Sequence, residues 1–215
     1  MLNEINIEDI KNIALQAGLA IMSIYTKEFT IEYKDDKSPL TEADKKSNEI
    51  ICQELTKSYP NIPIMSEENQ QIEYEIRKNW EYYWCIDPID GTKEFIKKND
   101  EFTVNIALIH KNVPVLGVVY APALNEMYYA KQNEGAFKNG QKLPLQMNSN
   151  LTEKLTVVAS KSHLSPQTQD FIDNLDAEEI TQVSRGSSLK LCMVAEGSAD
   201  IYPRLAPTME WDTAA

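Results

Sequence analysis

Six consecutive residues, Asp87-Pro88-Ile89-Asp90-Gly91-Thr92, constrain this chain more than any other stretch. Proline fixes its own φ and has no N–H to donate, so the segment cannot be a strand interior and makes a poor helix. It reads as a loop that holds two carboxylates three residues apart. Carboxylates packed together raise each other's pKa unless a cation lies between them, and clustered oxygens are what a hard ion such as Mg²⁺ requires. Metal binding is therefore the functional reading, beside the plain one of a capped turn. An EF-hand with Gly91 at its sixth position would put Lys97 at the twelfth, where a bidentate Glu is needed, so that reading fails. An aspartyl phosphatase of the D-x-D kind needs acids two apart, which weakens it too. Gly91 permits close backbone approach, and a helix opening at Thr92 would present amides to a phosphate.

The surrounding pattern is globular. Apolar residues at Ile7, Ile10, Ala14, Ala17, Ile21 and Ile24 fall on one helical stripe. A second helix opens at Thr41, with Asp44 in capping-box position, and continues through Ile50, Ile51 and Leu55. NIPIMSEE and YYWCID read as short buried strands ending in acids. FTVNIALIH, VPVLGVVYAP and EMYYAK read as an antiparallel meander closed by Gly135 and an Asn139-Gly140 turn. Beyond residues 148–150 strands and helices alternate: LTVVAS, a helix around SPQTQDFIDNL, ITQVS, a helix in GSSLKLCMVAEG, a strand in ADIYPR and a final start at EWDTAA. Two parts follow, 1–148 as an α+β metal-site domain and 149–215 as a smaller α/β domain.

Charge and cysteines narrow the partners. With 21 Lys+Arg against 33 Asp+Glu the formal charge is −12, so a nucleic-acid polymer finds no basic groove, and a polyanionic ligand needs a cation to meet it. Cys52, Cys85 and Cys192 are widely spaced and odd in number, which argues for a reducing compartment. No window approaches about 18 uninterrupted apolar residues, and the acidic N-terminus lacks a signal peptide's basic region. A cytoplasmic location is expected, with peripheral membrane association left open. Two histidines, His110 and His163, make a His-rich zinc site improbable.

SEE at 66–68, DPIDGT at 87–92 and EWDTAA at 210–215 resemble, in that order, the three metal-ligand signatures of the inositol monophosphatase superfamily of Mg²⁺-dependent, Li⁺-sensitive phosphatases. DGTKEFIKKNDEFTVNIALI and GSSLKLCMVAEGSADIYPR resemble its 3′(2′),5′-bisphosphate nucleotidase branch; Glu94-Phe95 stands where inositol phosphatases usually carry Asn-Phe. The resemblance implies a layered αβαβα sugar-phosphatase fold, with an antiparallel N-terminal sheet and a smaller C-terminal α/β part. It implies two or three Mg²⁺ ions, replaceable by Mn²⁺, held by Glu68, Asp87, Asp90, Asp212 and the carbonyl of Ile89. Glu67 is expected to be a solvated neighbour. Thr92 and Asp44 match the pair that orients and deprotonates the attacking water, though Asp44 also has its capping role.

Substrate contacts are expected from Gly91, Thr92, Ser187 and Lys190, the last meeting a second phosphate or the ribose, and from Ser162-His163, where such nucleotidases place a base-contacting histidine. Glu196 and Arg204 are sugar or phosphate contacts or simply an intramolecular ion pair. The implied reaction is hydrolysis of the 3′-phosphate of adenosine 3′,5′-bisphosphate to AMP and phosphate. Alternatives are an inositol or sugar monophosphatase on the same metal site, or a noncatalytic nucleotide- or metal-binding relative. A homodimer and further elements after WDTAA are also implied, so that the C-terminal part is expected to be incomplete.

Overall fold

The computed structural model describes residues 2–34, 39–160 and 164–215. Its first long element, α1 (Ile7–Tyr25), is capped by the Asn6 side chain, which accepts from the Glu8 amide. The stripe of Ile10, Ala14, Ala17 and Ile21 is fully buried. A short antiparallel hairpin, β1 (Ile31–Tyr33) and β2 (Pro39–Thr41), leads into α2 (Glu42–Ser58). The expected capping box is present: the Thr41 side chain accepts from the helix backbone while Asp44 accepts from the Thr41 amide.

The centre is one seven-stranded sheet. Its strands, in spatial and chain order, are β3 (Ile64–Ser66), β4 (Tyr82–Asp90), β5 (Thr103–His110), β6 (Val113–Ala121), β7 (Glu126–Lys131), β8 (Gly135–Lys138) and β9 (Gln141–Lys142). All neighbours are antiparallel except β3 and β4, which run parallel with the short α3 (Tyr74–Arg77) in their crossover. The β8–β9 turn is the expected Asn139-Gly140, with φ of 47° and 85°, the left-handed pair a two-residue hairpin needs. Because β4 and β5 are covered on both faces they lack polar alternation, and Trp84, Ile86, Ile106 and Leu108 are fully buried.

α1 and α2 pack on one face, their isoleucines meeting Trp84, Phe95, Phe102 and Val118 in the main core. The other face receives Leu189 and Cys192 of α6 (Leu189–Glu196), and Trp211 in a 3₁₀ turn at Glu210–Asp212. Beyond α6 lies a two-stranded parallel sheet, β10 (Lys154–Ser160) and β11 (Glu179–Arg185), with its own small core against α5 (Pro166–Asp173). The αβαβα layering is therefore present.

Two local expectations change. ADIYPR forms no strand, only a single parallel bridge from Ile201 to Val157, since Pro203 cannot donate to a ladder. Asp87 to Asp90 is not a free loop but the bulged end of β4. Pairing with β5 passes from Asp87↔Asn105 to Asp90↔Thr103, so three steps on β4 oppose two on β5. The extra residue is what accommodates Pro88.

Ile51→Ala, which opens a cavity in the main core, is expected to cost about 2–5 kcal/mol in urea unfolding. Leu19→Ala, on the solvent side of α1 at 71% exposure, should move stability by no more than about 0.5 kcal/mol.

Candidate metal centre and cleft

The bulge is the origin of the site. In a regular strand, residues three apart point to opposite faces, whereas one inserted residue brings them to the same side. Asp87 and Asp90 thereby converge, and Asp212, at the end of the 3₁₀ turn, joins them. Carboxylate oxygens of these three acids lie within 4.8 Å of one another. Trp211, buried among Met65, Cys85, Ala107 and Ile109, anchors that turn, and Arg77 Nη1 donates to Glu210 Oε2 at 2.9 Å. Thr208 Oγ1 and the Met209 amide donate to Asp212 Oδ2 at 2.7 and 3.0 Å, setting its orientation.

These acids border a cleft of about 700 Å³ between the bulge and the start of α6, lined also by Thr92, Lys190, Tyr202 and Arg204. The volume suits a small organic ligand. Asp87 is buried and its Oδ1 has no hydrogen-bond partner. Burial, then repulsion from Asp90, Glu67 and Asp212, pushes its pKa well above the carboxylate range. Burial also raises the Asp90 pKa, against the pull of Ser188 and Ser187, whose hydroxyls donate to Asp90 Oδ2 at 2.5 and 3.0 Å. A hard cation answers this set: three clustered oxygen donors, an orphaned buried oxygen and a surplus of negative charge.

Thr92 opens the short helix α4 (Thr92–Ile96) after Gly91, whose φ of 92° admits the turn. A Cβ on Gly91 would stand 3.1 Å from the Glu101 carbonyl and 3.2 Å from Ser187 Cβ. Thr92 Oγ1 donates to Asp44 Oδ1 at 3.0 Å, while Thr41 holds the other carboxylate oxygen through its amide and hydroxyl at 2.7 and 2.5 Å. Asp44 is thus both cap and partner of Thr92, and burial raises its pKa.

The remaining expected residues distribute unevenly. Gly91, Ile89, Ser187, Lys190 and Arg204 line the cleft, but the Ser187 hydroxyl is engaged by Asp90 and Thr103. Lys190 is buried, donates to the Ser187 carbonyl, and burial lowers its pKa. Glu196 lies away from the cleft, accepting from Lys138, Tyr128 and Ser198 at 2.7, 2.8 and 2.7 Å; it is the ion-pair alternative and not a cleft group. Ser162 and His163 lie outside the described residues.

At the β3 end, Glu67 lines the cleft close to Asp87, so it is not a merely solvated neighbour. Glu68 is not among the cleft-lining residues, although Lys34, which lines the cleft, bridges Glu67 and Glu68 at 2.8 and 2.6 Å. Sequence reasoning missed Lys34, and it read Gly186 to Ser188 as an anion-receiving helix start without the bond from Ser188 to Asp90. Lys34 directly follows β1 and carries no local signature, and Ser188 reaches Asp90 through a tertiary contact that the GSS run does not specify.

The whole chain, residues 1–215, matches the model of the inositol monophosphatase family. It is 45% identical over 211 residues to the 3′(2′),5′-bisphosphate nucleotidase CysQ of Salmonella typhimurium, spanning 97% of this chain and 84% of that protein. The nucleotidase of the same name from Haemophilus influenzae is 39% identical over 216 residues, covering 99% of this chain and 80% of that one. The crystal structure of CysQ from Bacteroides thetaiotaomicron superposes with a TM-score of 0.86 at 42% identity, over 98% of this chain and 83% of that one.

A carboxyl whose pKa is raised by folding contributes stability below the ordinary carboxylate range and loses it as pH rises through the raised value. With chelator present, the melting temperature is therefore expected to fall as pH rises from acid to neutral. Asp87→Asn should flatten that slope, stabilise the metal-free protein by about 1–3 kcal/mol at neutral pH, and weaken the stabilisation that added Mg²⁺ gives the unaltered protein.

Proposed function

This chain belongs to the inositol monophosphatase family, and we propose that it is a Mg²⁺-dependent phosphatase that converts adenosine 3′,5′-bisphosphate to AMP and phosphate. The observation that carries this reading is the buried, partnerless Asp87 oxygen within a converging set of acids at the cleft wall. Asp87, Asp90 and Asp212, with Glu67 in the place expected for Glu68 and the Ile89 carbonyl beside them, would hold two or three Mg²⁺ ions or Mn²⁺ in their stead. Glu67 is preferred to Glu68 because it lines the cleft and lies beside Asp87. Bound Mg²⁺ supplies Lewis acidity and the positive charge that a chain of net −12 otherwise lacks toward a bisphosphate.

The chain's own groups account for proton movement. Thr92 donates to Asp44, which leaves the threonine oxygen free to accept from a water. As water attacks phosphorus, its proton passes to Thr92 Oγ1 and the threonine proton passes to Asp44. The raised pKa of Asp44 favours its acceptance of that proton. Two hydrogen bonds from Thr41 keep the carboxylate oriented throughout. The phosphorus–oxygen bond to the ribose 3′-oxygen breaks, that oxygen takes a proton from solvent water, and Asp44 returns its proton to solvent, which restores the starting state.

Lys190 and Arg204, which line the cleft, are suited to the second phosphate, and Tyr202, whose ring Lys190 Nζ approaches to 5.6 Å of the centroid, lines it with them. Ser162-His163 stays a proposal for the base. Three free cysteines support the cytoplasm as location, and no described helix is long and apolar enough to cross a membrane. A homodimer is the expected assembly.

Phosphate release should be faster from adenosine 3′,5′-bisphosphate than from inositol 1-phosphate, and should vanish for both with chelator. Preference for the inositol ester would assign the chain to the inositol branch, and Mg²⁺-dependent binding without turnover would make it a binding protein. Thr92→Ala is expected to lower kcat by about 100-fold or more, with a smaller change in KM, as single-turnover assays would register.

A further inference from the structure

Helix α2 does more than carry Asp44. Two consecutive residues on its first turns reach the two strand ends that bear the other acids. Ser47, fully buried, donates from Oγ to the carbonyl of Pro88 at 2.8 Å, the residue at the centre of the bulge between Asp87 and Asp90. Asn48 accepts from Ser66 Oγ at 2.7 Å and donates from Nδ2 to Asn69 Oδ1 at 2.9 Å. Ser66 and Asn69 are the two ends of the turn that displays Glu67, closed by the Asn69 amide on the Ser66 carbonyl at 3.2 Å. Cys52, one turn further along α2, completes the ring: its thiol donates to Asn48 Oδ1 at 3.4 Å and accepts from Asn69 Nδ2 at 3.7 Å.

We propose that Ser47 and Asn48 are positioning residues that tie the Asp87–Asp90 bulge and the Glu67 turn to one rigid helix, so that the acids keep their mutual spacing when a divalent cation binds or leaves. The physical need is plain. Asp90 and Glu67 both repel Asp87, and β3 is only three residues long, so the sheet ladder gives the Glu67 turn little support. The bulge in turn lacks one ladder donor at Pro88. Hydrogen bonds that orient ligand-bearing groups commonly change metal affinity by about 10- to 100-fold when lost. Because Ser47 and Asn48 bond a backbone carbonyl and a neighbouring hydroxyl and not the carboxylates themselves, the lower end applies. Ser47 also fixes Pro88 on the helix that carries Asp44, which couples the spacing of the proton acceptor to that of the acids.

This inference rests on the metal-site reading, and Mn²⁺ binding to the intact chain, followed by electron paramagnetic resonance, separates the two. Ser47→Ala and Asn48→Ala are each expected to weaken Mn²⁺ binding about tenfold and to raise the Mg²⁺ concentration for half-maximal phosphate release in proportion, with KM for the nucleotide little changed. Asn48→Asp keeps the acceptor for Ser66 and should retain most of the affinity. Asn48→Ala and Ser66→Ala together should cost no more than Asn48→Ala alone, because Asn48→Ala already removes the bond that Ser66 makes. Val158→Ala, in the buried strand of the small sheet, should lower the melting temperature without touching Mn²⁺ affinity, which distinguishes positioning from general destabilisation. Unaltered Mn²⁺ affinity in folded Ser47→Ala and Asn48→Ala, or fully additive Asn48 and Ser66 effects, overturns the proposal. Failure of the unaltered protein to bind Mn²⁺ overturns the metal-site reading itself.

Discussion

Like charges held together out of water are the constraint around which this molecule is arranged. Each of Asp87, Asp90 and Asp44 is disfavoured in its ionised form by burial, and Asp87 suffers its neighbours besides. A chain tolerates such an arrangement only where the surrounding structure over-determines it and the function needs it. The surroundings here are a fully apolar core beneath α1 and α2, the serines on Asp90 and the threonines on Asp44 and Asp212. Every one of those hydroxyls donates, so each acid is steadied without its charge being cancelled.

The large elements were legible because their signals are local and periodic. The stripe of α1, the capping box of α2 and the Asn139-Gly140 turn each follow from a few neighbouring residues, and all three are present. The bulge was only half legible. Pro88 ruled out an ordinary strand interior, but whether the chain leaves the sheet or bulges within it depends on how β5 pairs alongside, which no local pattern encodes. The same limit applies to Glu67 and Glu68. Adjacent residues in a turn are placed differently, and here the turn is held at Ser66 and Asn69 by Asn48 of α2, a distant partner that the local sequence does not reveal. Glu196 shows the opposite failure: a charged residue near a promising motif whose partners, Lys138 and Tyr128, are brought by the far end of the sheet.

The cleft lies between the end of β4 and the segments around α6 and the last turn. Acids from the large sheet form one wall, and the α6 start with Tyr202 and Arg204 forms the other. The cleft's lining sets acids, among them Glu67, Asp87, Asp90 and Asp212, among the cations Lys34, Lys93, Lys190 and Arg204. Ser187, at φ 57°, holds the joint between the walls by bonding both Asp90 and Thr103 across it.

Trp211 gives this arrangement an optical signature. Of the chain's three tryptophans it alone adjoins Asp212, and its indole is buried beside Cys85, two residues before Asp87. An indole in such apolar surroundings emits at shorter wavelength than one in water. Any loosening of the junction between the last turn and β4 therefore changes the colour of intrinsic fluorescence at a point next to the acids, without a dye or a label.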